Sequence, residues 1–107
     1  MALVSFMLVS GDVTLDGRVL NPGMAYGSPV NVQRVSASRA VSTGDFAVTA
    51  DKLDPLLSTL AAHGIAATAV HSHLIGESPR LSYVHFWADG PLRDVLRGLR
   101  AALDAVH

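Results

Sequence analysis

Three of the chain's five histidines and its only glutamate fall within fifteen residues: His71, His73, Glu77 and His85. Imidazole and carboxylate groups at this density are the donors that bind a divalent cation or move protons near neutral pH. Their spacing adds to the signal, because side chains alternate across a strand and an HxH pair puts both imidazoles on one face, near enough to share an ion. The sequence holds no cysteine, so a metal would be held by nitrogen and oxygen, which points to Zn, Fe, Mn, Ni or Cu. Disulfides and thiolate nucleophiles are excluded on the same ground, and no serine sits in a recognisable nucleophile elbow.

The elements that must position these groups are a strand over Ile65 to Leu74, a loop over Ile75 to Pro79, and a strand over Leu81 to Ala88 rich in aromatic and β-branched residues. Together they predict an antiparallel hairpin. Ala67, Ala69, His71 and His73 share one face of the first strand, and Tyr83, His85 and Trp87 share one face of the second. With the loop centred near Gly76 to Pro79, His71 is expected opposite His85 and His73 opposite Tyr83, so three imidazoles converge. Glu77 is placed to swing in from the loop as a fourth ligand or as general base. Arg80 is expected at the hairpin edge, neutralising Glu77 or clamping an anionic ligand. Tyr83 and Trp87 form the aromatic wall of a pocket above the small Ala67 and Ala69.

The rest of the chain supplies a scaffold. Leu3 to Val9 reads as a strand, and Val13 to Leu20 as a hairpin turning at Asp16 and Gly17. Asn21, Pro22 and Gly23 end that hairpin with a chain break in regular structure. Pro29 to Val35 alternates as a half-buried strand, and Ala40 to Thr49 is another, with a bulge or bend expected at Gly44 and Asp45. Leu53, Leu56, Leu57 and Leu60 recur at helical spacing, with Asp51 or Asp54 as the cap, Pro55 near the first turn, and His63 and Gly64 at the stop. Leu92, Val95, Leu96, Leu99, Leu103 and Val106 form the stripe of a closing helix. The order predicts an α+β fold: an antiparallel or mixed sheet with two helices on one face, a βαββα core preceded by N-terminal strands. The other face then needs a cover, from the N-terminal strands or from a second copy.

At 107 residues, half of them hydrophobic, the chain is expected to be a single domain over residues 1–107. Eight basic and nine acidic residues without a block of like charge argue against a nucleic-acid or membrane-surface partner. The apolar start lacks a basic leader and is shorter than a span, so the chain as given is expected in the cytoplasm.

The segment HSHLIGESPRLSYVHFW, with the flanking AAHGI and GLRAALD, resembles a bacterial family of unknown function typified by the lipoproteins LppY and LpqO. The family's His-Asn-His pair, its loop glutamate with Pro-Arg, and its His-Phe-Trp strand match His71 and His73, Glu77 with Pro79 and Arg80, and His85 with Phe86 and Trp87. The stretch from Thr14 through VSTGDFAVTADKLDPLL also resembles the family. Ser72 stands where the family has Asn, on the face away from the pair. Many members resemble exported tandem proteins, so this single copy without a lipobox implies a homodimer by analogy. The HxHx3E spacing also resembles the first cupin motif, although a cupin barrel lacks the two interleaved helices.

These residues support two functions. In the first, His71, His73 and His85, with or without Glu77, hold one divalent ion in an open site, and the domain acts on a small molecule. In the second, the same pocket works without metal, as a binding module for a small polar or aromatic ligand or as an acid/base enzyme. A third, structural alternative makes the histidine face a dimer interface.

Overall fold

The computed structural model describes residues 2–6, 8–9, 11–21 and 26–106. The Pro22 and Gly23 breaker and the terminal His107 lie outside them. The elements in chain order are β1 (Ala2–Phe6), β2 (Thr14–Leu15), β3 (Arg18–Val19), β4 (Ser28–Arg34), β5 (Arg39–Thr49), α1 (Ala50–Ala62), β6 (Ala66–His71), β7 (Leu81–Pro91) and α2 (Leu92–Val106). Five strands form one sheet in the order β1-β4-β5-β7-β6, antiparallel throughout, and β2 with β3 form a separate ribbon. This is the expected α+β fold. The ribbon turns at Asp16 (φ 52°) and Gly17 (φ 74°), the positive pair that a two-residue hairpin loop of matching twist requires.

Alternation in β5 and β7 splits the sheet into two faces. Phe46 and Val48 on β5 and Val84, Phe86 and Ala88 on β7 point to the helices, where Leu56 and Leu60 of α1 and Val95, Leu99, Ala102 and Val106 of α2 complete one buried core. Phe46 and Phe86 stack with ring centroids 5.2 Å apart. The expected bulge at Gly44 and Asp45 does not occur: both positions stay in register with β7. Gly44 serves close packing instead, since a Cβ there would lie 2.3 Å from the Pro29 carbonyl oxygen and 3.2 Å from the Phe86 ring.

The helices depart from expectation in detail. Thr49, not Asp51 or Asp54, occupies the α1 N-cap position, and its hydroxyl donates to the Asp51 carboxylate. That hydrogen bond first, and the neighbouring Lys52 charge to a lesser degree, hold the Asp51 carboxyl below its usual range. Because α1 starts at Ala50, Pro55 falls in its second turn. The stop at His63 and Gly64 (φ 70°) is as read from the sequence. On α2, Leu96 of the expected stripe is 48% exposed, and Gly98 and Ala102 take the buried positions.

The opposite sheet face is only half covered. Val9, Val13 and Tyr26, with Leu20 against them, form a second buried cluster over Ala47, Leu81 and Tyr83. The N-terminal segment thus caps one end of this face, and among the described residues nothing covers Trp87 at the other, which is 46% exposed.

Candidate functional site

On the half-covered face the strands set out cross-strand rows. Ala47, Tyr83 and His71 lie in one, Asp45, His85 and Ala69 in the next, and Thr43, Trp87 and Ala66 in a third. His71 is therefore opposite Tyr83 and His85 opposite Ala69, two residues from the expected pairing, with β6 ending at His71 rather than Leu74. A two-residue slip keeps every side chain on its face, so the imidazoles still share a surface. An irregularity between Ala67 and Ala69 sends Ala67 opposite Phe86, on the helix side, so only Ala69 lies beneath the histidine surface as expected.

The convergence point is Asp45, a residue the histidine spacing does not reveal. Its Oδ1 lies 3.5 Å from His71 Nε2 and 3.3 Å from His85 Nδ1. That oxygen is buried yet accepts no hydrogen bond among the described residues. Charge-assisted N–H···O bonds run at about 2.7–2.9 Å, whereas donor atoms sharing a tetrahedral ion bonded at about 2.0–2.1 Å stand about 3.3–3.4 Å apart. The signal available in the sequence is an aspartate in mid-strand, where short acidic side chains are depleted.

Thr43 settles which face His85 presents. Its Oγ1 lies 2.9 Å from the Phe86 carbonyl oxygen and 3.0 Å from His85 Nε2. A carbonyl only accepts, so the single hydroxyl proton goes to Phe86, and the hydroxyl oxygen accepts from Nε2–H of His85. The Nδ1 lone pair then faces Asp45 Oδ1. Two lone pairs in this position call for a positive species between them, a proton or a metal ion. As the side chains stand, no three His, Asp or Glu groups among the described residues surround a common point as a ready metal site. The His71 and His85 side chains are 39% and 42% exposed, so the point between them is reached from solvent.

His73 is placed by ring stacking. It lies just past β6, stacked on the Tyr83 ring at 3.5 Å between centroids and on His71 at 5.1 Å. Tyr83 is buried beneath the two imidazoles. Burial, with the Glu77 and Asp45 charges adding to it, pushes its hydroxyl up to about 12. Glu77 is not a mobile rim group: it is 5% exposed, its Oε1 accepts from the Leu81 N–H at 3.1 Å, and its Oε2 is buried without a hydrogen-bond partner among the described residues. Arg80 is exposed and forms no ion pair with Glu77, whose carboxylate is turned inward to the backbone. Tyr83 and Trp87 do not form one wall, since Tyr83 is buried and Trp87 is 46% exposed, two rows away.

No curated protein and no solved structure gives a significant match to the chain. Among protein families, the one described as Domain of Unknown Function (DUF1259) matches residues 2–105. A match over nearly the whole chain makes this protein a member of that family.

Proposed function

We propose that the domain binds one divalent cation through Asp45, His71 and His85, and acts on a small molecule at that ion. The observation that carries this reading is the buried Asp45 Oδ1, which faces two imidazole nitrogens at 3.3 and 3.5 Å and accepts a hydrogen bond from neither. The donor set suits Zn, Fe, Mn, Ni or Cu. Thr43 acts as the outer partner that fixes the His85 tautomer with Nδ1 toward the ion. Bound there, the ion would supply Lewis acidity or an activated water. Glu77 anchors the loop carrying His73 by accepting from the Leu81 N–H, a positioning role. The placement with the LppY/LpqO-type proteins belongs to the same proposal and rests on the His71 to Trp87 motif.

A metal-free reading has support in the same contact, since a proton between Nδ1 and Oδ1 also relieves it; the site is then an Asp–His acid/base pair. Elemental analysis of untagged protein, then calorimetric titration with Zn²⁺ and Mn²⁺ above and below the pH range in which imidazole protonates, separates the two. The proposal expects one ion per chain, affinity falling as pH falls, and at least a hundredfold loss in Asp45→Asn, corresponding to about 2.7 kcal/mol. Native protein that binds none of the candidate ions at neutral pH would leave the metal-free reading standing.

A further inference from the structure

Beside the Asp45 cluster, the open end of the sheet holds a shallow cavity of about 400 Å³ lined by Asn31, Gln33, Val41, Ser42, Thr43 and Trp87. Trp87 is the largest apolar side chain left exposed on this face, at 46%. Asn31, Thr43 and Trp87 face one another in a single cross-strand row. Val41 lies across from Gln33 in the next. Neither the Asn31 nor the Gln33 side-chain amide makes a hydrogen bond among the described residues, so both keep donors and acceptors available.

The lining contains no charged side chain. Arg39 and Asp89, beyond it, pair with each other at 3.4 Å. An anionic nucleotide would find no free cation in this lining, and a purely apolar ligand would strand two amides. The lining fits a neutral ring with an apolar flat face and hydroxyls around its edge. Such a ring stacks its C–H groups on the indole and exchanges hydrogen bonds with the amides. One further row along the same face, two residues at about 3.3–3.4 Å of rise each, stand His85 and Asp45. A ring lying on Trp87 therefore reaches them with its hydroxyl edge.

We propose that this cavity is the subsite for a neutral saccharide, stacked on Trp87, hydrogen-bonded by Asn31 and Gln33, with hydroxyls directed toward the Asp45–His85 row. It assigns a substrate class to the same site and rests on the metal reading only where those hydroxyls meet the ion.

Trp87 is the chain's only tryptophan, so its fluorescence reports the subsite directly. The probes are methyl glucoside, cellotriose and chitotriose, titrated into chelator-treated and Zn²⁺-loaded full chain. A saturable change with at least one of them is expected in both states. Asn31→Ala and Gln33→Ala, checked for native circular dichroism, should each weaken that binding about tenfold and leave Zn²⁺ affinity unchanged. Absence of a saturable change with all three probes up to their solubility limits overturns the saccharide subsite. So does a response that both alanine variants retain at native strength. Zn²⁺ binding without saccharide binding overturns this inference alone, and saccharide binding without metal binding overturns only the proposed ion.

Discussion

The two faces of β5 and β7 are built from alternate residues of the same strands and have opposite characters. Toward the helices, Phe46, Val84 and Phe86 have no exposure at all. Toward the open side, the same strands carry Thr43, Asp45, His85 and the half-exposed Trp87. Period-two alternation puts these sets within a residue of each other, yet one is fully packed while the other holds a buried oxygen without a hydrogen-bond donor among the described residues. The covered face thus carries stability and leaves the open face able to tolerate groups that packing alone would not select.

The sharpest way to break this contrast is to move stability out of the covered face. Phe86→Ala removes a fully buried ring stacked on Phe46, and is expected to cost about 3–5 kcal/mol in urea denaturation. Its folded fraction should retain native Zn²⁺ affinity, and a parallel loss of affinity would show that the two faces are not separable. Thr43→Val makes the complementary change. It removes the oxygen that accepts from His85 Nε2, and should weaken metal binding about 10–100-fold by calorimetry while shifting the urea midpoint far less than Phe86→Ala.

Tyr83 tests the boundary between the faces. Its hydroxyl is raised from 10.0 to about 12, chiefly by burial, so the folded chain keeps a proton that the unfolded chain has released. The resulting stability is fully present below pH 10.0 and is lost as pH rises to about 12. Denaturation midpoints of metal-free protein should therefore fall across that window, and Tyr83→Phe should flatten the fall. The smallest effect belongs outside both faces: the Arg100–Asp104 pair on α2 is 3.2 Å long with side chains 78% and 66% exposed, and Arg100→Ala should cost no more than about 0.5 kcal/mol.

Much of this architecture is legible in the residues. Alternation, the Asp16–Gly17 turn, the leucine spacing of α1 and the Gly64 stop are local signals, and the elements they mark are present. The candidate site is legible in part. Strand parity reveals that His71 and His85 share a face, but Asp45 reads as a bend because an aspartate beside a glycine usually marks a turn. Nothing near it in sequence shows that β5 runs beside β7, forty residues away, and lays Asp45 across from His85. Glu77 departs from its expected place at the rim for a related reason, because its partner is the Leu81 backbone N–H, which no side-chain pattern advertises.

The sequence by itself determined which residues of β7, and of β6 from Ala69 onward, lie on which face, since parity comes from the strand period; it failed at Ala66 and Ala67, where the irregularity before Ala69 resets that parity. Only the tertiary structure decided the register and therefore the partners. A slip of two residues leaves every side chain on its own face, so burial exerts no preference between pairing His85 with His71 and pairing it with Ala69. That choice depends on the loop between β6 and β7 and on the long-range ladder to β5. The ladder carries Asp45 between the histidines and Thr43 behind His85, and so decides where on this surface a cation or a ligand would bind.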